Sequence, residues 1–215
     1  MKRILAVIIM VFISGCTLSP RSCPDPGEAR MVKCPRQWNE KDGAYHLRHA
    51  GSIAFPGRKI PVEGFMLLHP EAKRARVKVW STFGMELFSL TVFENRTESG
   101  YIQPGLNRIP NFASLVGKSV RRSFFSPDEG KKCFLKEDRI LACVQTQDGP
   151  VEYIYDARGL LREKKPAGDN PEWRVAFKEY TPLAGDKIPA SIIYKGKDFR
   201  VSLKLKEAEE SCPAK

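Results

Sequence analysis

Six cysteines and three histidines are the side chains of this 215-residue chain whose types and spacing invite chemistry. A thiolate is a nucleophile, an acyl acceptor or half of a disulfide, and an imidazole is a base or a metal ligand. Cys16 stands apart from the other five. It follows Ser14 and Gly15, which end an unbroken apolar run from Ile4 to Ile13, and Lys2 and Arg3 precede that run. Positive start, apolar middle and small residues are the layout of a secretory signal over residues 1–15, and the run is too short to span a bilayer permanently. Cleavage after Gly15 would make Cys16 the first residue of the mature chain and, with Lys2 and Arg3 removed, lower the net charge from +11 to +9.

The remaining thiols, Cys23, Cys34, Cys133, Cys143 and Cys212, are odd in number in a compartment that permits disulfides. Cys133 and Cys143 form the clearest pair, because the residues between them read as two strand ends around a turn at Asp138, which would set the two cysteines opposite each other. Cys23 and Cys34 pair with each other, or one of them pairs with Cys212; the sequence does not choose. No Cys-x-x-Cys spacing points to redox chemistry.

His46 and His49 are three apart in a stretch that reads as strand, so they fall on opposite faces, and His69 is distant; no third ligand is spaced for a metal. The chain has no Gly-x-Ser-x-Gly elbow, no phosphate-binding glycine loop and no His-Glu-x-x-His. Nothing in it argues for an enzyme or a cofactor.

Ser14-Gly15-Cys16 resembles the lipobox of bacterial lipoproteins, in which that cysteine is acylated. The resemblance implies a lipid-attachment site at Cys16, and Thr17 in place of an Asp implies sorting to the outer membrane, facing the periplasm. Several acyl chains on one residue hold a protein on a membrane durably, at about 0.8 kcal/mol per buried methylene. In that compartment nucleic acid is a poor partner for the basic surplus. Anionic lipid headgroups or phosphorylated glycolipids are better ones. The alternative is that the basic runs Lys73, Arg74, Arg76, Lys78 and Lys195, Lys197, Arg200, Lys204, Lys206 are solvated strand faces.

Residues 16–44, rich in Pro and charge, read as a tether, 45–206 as the folded domain and 207–215 as a charged tail. Within the domain, short runs with period-2 alternation recur at 46–55, 62–69, 74–82, 87–94, 98–103, 151–155, 160–164, 173–180, 188–194 and 199–205. Residues 181–187 read as a loop, and helix is expected at 110–117, where Phe112, Leu115 and Val116 share a face. The pattern is mainly β: a curled antiparallel sheet of about ten to eleven strands with a few short helices. Gly64-Phe65-Met66-Leu67-Leu68 and 87–93 are apolar on both faces, which requires cover on both sides; whether the interior is hollow or filled stays open.

Gly64-Phe65-Met66-Leu67-Leu68, then Arg76-Val77-Lys78-Val79-Trp80, then Phe83-Gly84-Met85-Glu86-Leu87-Phe88 resemble the opening strands of the LolA/LolB-like superfamily of periplasmic lipoprotein carriers and receptors. Trp173 to Tyr180 followed by Ile188-Pro189 resembles its closing hairpins. The resemblance implies an incompletely closed antiparallel barrel over helices, with a cavity for an acyl chain or lipidated protein. Phe65, Leu67, Phe88, Leu90 and Val92 would line it. It also implies a membrane-contact loop, matched by Phe83, whose ring either inserts at the headgroups or folds back under the sheet. The Cys133/Cys143 hairpin departs from the pattern. The expected role is lipid or lipoprotein handling; the alternative is a non-catalytic assembly lipoprotein that uses the same fold as a docking surface.

Overall fold

Alternation of apolar and polar residues over most of the chain produces strands with one dry and one wet face. A computed structural model describes residues 23, 29–40, 43–126, 130–146, 148–183 and 186–211. The leader and Cys16 lie outside the described residues. The strands are β1 (Arg30–Val32), β2 (Ala44–Phe55), β3 (Arg58–His69), β4 (Arg74–Ser81), β5 (Glu86–Val92) and β6 (Thr97–Ile102). After the helices α1 (Pro104–Asn107) and α2 (Phe112–Phe124) come β7 (Lys132–Lys136), β8 (Arg139–Thr146), β9 (Gly149–Tyr155) and β10 (Leu161–Pro166). The last three are β11 (Arg174–Leu183), β12 (Asp186–Lys195) and β13 (Arg200–Ser211).

All thirteen join one antiparallel sheet in the order β1-β7-β8-β9-β10-β11-β12-β13-β2-β3-β4-β5-β6. Strands β1 and β6 stay unpaired with each other, so the sheet curls without closing, as the sequence leads one to expect. Register shifts where β4 meets β5, β5 meets β6, β9 meets β10 and β13 meets β2 supply the bends.

Helix α2 crosses the concave side. Phe112, Val116, Val120 and Phe124 recur every fourth residue and are all buried, each stabilising the packed helix by about 1.5–3 kcal/mol. The helix therefore runs seven residues past the expected 110–117, following that stripe through Lys118 and Arg121. Gly117 brings it close to β6: a Cβ there would sit 2.0 Å from Thr97 Oγ1. Arg121 Nη1 fixes its last turn by donating to the carbonyls of Phe93 and Arg96 and to Thr97 Oγ1, at 3.1, 3.0 and 3.0 Å.

Three sequence expectations change. The segment read as a tether is stitched to the sheet: β1 pairs with β7, and the short helical turn Trp38–Glu40 is largely buried against β2 and the end of α2. The expected loop 181–187 is ladder, because Thr181, Pro182 and Leu183 stand opposite Ile188, Lys187 and Asp186. Residues 207–211 continue β13, paired with Arg48 back to Ala44 of β2, and only the last residues of the expected tail lie outside the described residues.

The Cys133–Cys143 bridge is also corrected. Cys34 bonds Cys133 and Cys23 bonds Cys143, with Cα atoms 5.3 and 5.7 Å apart. The cause is the β7–β8 turn. Its two central residues, Glu137 and Asp138, both have positive φ (47° and 59°), the requirement of a two-residue turn matched to strand twist. That turn sets Cys133 opposite Ala142 and Cys143 opposite Lys132, so the two thiols point to opposite faces. A register centred one half-step differently would have paired them; this one gives each to the N-terminal segment.

Candidate functional site

Where β2, β3 and β4 face α2, the concave face is largely apolar. Odd-numbered β2 residues Tyr45, Leu47, His49 and Ile53 point inward, with Val62, Met66 and Leu68 from β3 and Val77 and Val79 from β4. Opposite them lies the α2 stripe. At one end Trp38 closes the space: its ring meets Tyr45 edge-on at 5.3 Å and Phe124 at 6.5 Å, and Asn39 Nδ2 caps the Phe124 carbonyl at 2.6 Å.

Two voids remain in line between sheet and helix. One, of about 20 Å³, lies toward Trp38, among Leu47, Ile188, Pro189 and Leu205. The other, of about 30 Å³, lies toward the opposite end, among Val62, Val79, Phe88 and Tyr194. Each has room for a water or two. Ser119 and Ser123, small residues on the inner side of α2, border the second void. His49, Met66, Phe124, Ile192 and Leu203 are shared by both and divide them.

His49 is the ionisable group on this dividing wall. Burial pushes its pKa down to about 4, partly offset by a hydrogen bond to the Leu47 backbone. Gly64 makes room for the ring, since a Cβ there would sit 2.9 Å from His49 Nε2 and 2.7 Å from the Lys78 carbonyl oxygen. A neutral imidazole keeps the wall effectively apolar at neutral pH.

Tyr194 borders the second void and also the wall of an open groove of about 1220 Å³ at the mouth. Arg122 of α2 donates to the Tyr194 hydroxyl at 2.9 Å and lies 4.5 Å over the Trp173 ring. These three side chains form a latch between interior and groove. The turns leaving β2, β4, β8, β10 and β12 all fall at this end of the antiparallel sheet, so the Phe83 turn, the groove and the β8–β9 turn share it.

The expected lining residues separate by face. Phe88, Leu90 and Val92 point inward and are buried; Phe88 meets Phe112 of α2 edge-on at 5.2 Å and lines the second void. Phe65 and Leu67 do not line the interior. Strand alternation gives the inner face to Gly64, Met66 and Leu68, and Phe65 is 53% exposed, with Trp80 beside it at 5.8 Å on the outer face. Phe83 is 94% exposed at the tip of the β4–β5 turn, where Gly84 takes a φ of 79° and the Ser81 backbone pairs with Met85 and Gly84. Among the described residues no group of His, Cys, Asp and Glu is placed to hold a metal. From the sequence alone, His49 is weighed only as a metal ligand, and Met66, Tyr194, Trp173 and Arg122 receive no site role. The period-2 pattern that puts Leu47 inward also puts His49 there, whereas the latch joins three segments distant in sequence.

An open antiparallel barrel folded over one long helix is the class this architecture defines. No protein-family model matches the chain, and no curated protein matches its sequence. Solved structures do share its fold. A DUF1329 family protein from Desulfovibrio piger superposes with a TM-score of 0.50 at 7% identity, covering 82% of this chain and 89% of that one. A LolA superfamily protein from Nitrosomonas europaea gives 0.47 at 7% identity over 80% and 88%. A domain named as an outer membrane lipoprotein-sorting protein, from Vibrio parahaemolyticus, gives 0.45 at 6% over 80% and 87%. At such identities the likeness concerns the fold alone.

Proposed function

We propose that this chain is an outer-membrane lipoprotein, anchored through Cys16, whose domain takes an acyl chain or the lipid of a lipidated protein between its concave face and α2. The observation that carries this reading is the largely apolar strip from Trp38 to Tyr194, with His49 at its middle, two aligned voids and a latch at its mouth. Along β12 it runs from Ile188 to Tyr194, about 20 Å of strand and comparable to a long extended acyl chain. A chain enters only when α2 yields, because the voids hold water-sized volumes and not hundreds of Å³.

The anchor fits this role. Cys23 is bonded to Cys143, so only six residues of chain, seven steps of at most about 25 Å in all, separate Cys16 from the cysteine tied to the sheet. Cys143 lies on β8 three residues before its end at Thr146, and the following turn carries Asp148, 3.9 Å from Arg122 of the latch. The anchor thus holds the mouth and the exposed Phe83 toward the bilayer, where that ring contacts the headgroup boundary.

A second reading has its own support. The interior is nearly filled and Phe65 and Trp80 present an aromatic pair on the outer face, as suits an assembly lipoprotein that docks proteins and binds no lipid. Native mass spectrometry of the chain with Cys16→Ser, after incubation with phospholipid vesicles, separates the two. Bound lipid is expected; a protein that takes up none belongs to the second reading.

A further inference from the structure

The mouth groove is unlike the interior in its charge. Its floor is aromatic and aliphatic, with Phe55, Leu115, Trp173 and Phe199. Its rim carries Lys118, Arg122, Arg174, Lys195 and Lys197 against Glu172 and Asp198. Two of those cations are engaged: Arg174 with Glu163 at 3.1 Å, and Arg122 in the latch. Lys118, Lys195 and Lys197 are exposed, and no salt bridge or side-chain hydrogen bond joins them to another of the described residues. They approach from two elements, α2 and the β12–β13 hairpin, across the apolar floor.

An apolar trough with uncompensated lysines on its rim suits a molecule with an apolar body and an anionic head. Tyr194 borders both the trough and the inner void, so a chain passing from one to the other crosses that single side chain when the latch opens. We infer that the groove seats the phosphate-bearing headgroup of an anionic amphiphile, with Lys118, Lys195 and Lys197 on the phosphate oxygens and the chain passing Tyr194. This deepens the acyl-chain reading above and rests on it. The lysine ammonium is a flexible point charge, so the site selects charge more than headgroup shape.

The test uses the chain with Cys16→Ser and three probes: short-chain phosphatidylglycerol, phosphatidylcholine of the same chain length, and inorganic phosphate. Calorimetric titration is expected to show phosphatidylglycerol binding about tenfold tighter than phosphatidylcholine, the sum of three exposed charge contacts. The preference shrinks as salt is raised. The combined variant Lys118→Gln, Lys195→Gln, Lys197→Gln abolishes the preference for phosphatidylglycerol and weakens phosphatidylcholine less, because choline offsets the charge of its phosphate; a circular dichroism spectrum equal to the parent's reports that the variant is folded. Equal affinities in the parent chain overturn the headgroup assignment and leave the acyl-chain reading standing. Binding of neither lipid overturns both. Displacement of phosphatidylglycerol by an equal concentration of inorganic phosphate overturns the lipid as the source of the anion.

Discussion

Arg122 reaches from α2 to the hydroxyl of Tyr194 on β12, and that 2.9 Å bond holds the side chain that interior void and outer groove share among the described residues. Tyr194→Phe removes the bond and keeps the ring. A hydrogen bond to a charged donor contributes about 1.5–3 kcal/mol, so the latch opens more often in the variant. Lipid uptake from vesicles, followed by a fluorescent acyl analogue, is expected to quicken severalfold. Unchanged uptake would remove the latch from the path.

The nested disulfides make a second prediction. Cys34–Cys133 and Cys23–Cys143 close loops with sequence separations of 99 and 120. Once one is formed, the other restricts only about twenty further residues and adds about 3 kcal/mol, against nearly 5 for the first. Losing either bridge is therefore expected to cost about 3 kcal/mol in denaturant unfolding, and losing both about 8. Peptide mapping without reductant should recover Cys23 with Cys143 and Cys34 with Cys133; a Cys133–Cys143 peptide would contradict the register of β7 and β8.

His49 predicts a pH dependence. Its pKa falls from 6.5 in the open chain to about 4 in the fold. Between those values the unfolded chain binds a proton that the folded one refuses, so stability is full above pH 6.5 and declines as pH falls toward 4. The loss reaches about 3 kcal/mol. Carboxylates titrate in the same range, so the informative quantity is the difference from His49→Leu. Urea unfolding at pH 7 and 4.5 should show that variant losing less stability than the parent; equal losses would mean that the ring is hydrated.

Phe83 stands almost fully exposed on a turn and packs under nothing. Phe83→Glu is expected to leave thermal unfolding within about 0.5 kcal/mol of the parent. Flotation of the Cys16→Ser chain with vesicles should weaken, because the ring no longer enters the headgroup boundary. Flotation equal to the parent's would remove Phe83 from membrane contact.

Period-2 alternation made most of the sheet legible in the sequence, and the inward Phe88, Leu90 and Val92 follow from it. Phe65 and Leu67 entered the expected lining through the resemblance, and both faces of β3 are apolar there, so alternation alone cannot say which one is covered. The Cys133 error turned on whether the β7–β8 turn has two or three residues, and Glu137 and Asp138 carry none of the glycine that usually marks the two-residue form. The stitched N-terminus was hidden because its partners lie about a hundred residues away. For the same reason the Arg122–Tyr194–Trp173 latch left no local signature.

The most direct test of acyl-chain binding under α2 is site-specific photo-crosslinking. A photoreactive residue replaces Val120, on the inner stripe of α2 beside the second void, or Arg76, on the outer face of β4. Each chain is exposed to vesicles carrying a labelled acyl chain. Label transferred at position 120 and not at 76 is the predicted result. No transfer at 120, or equal transfer at both positions, would contradict a lipid-holding interior.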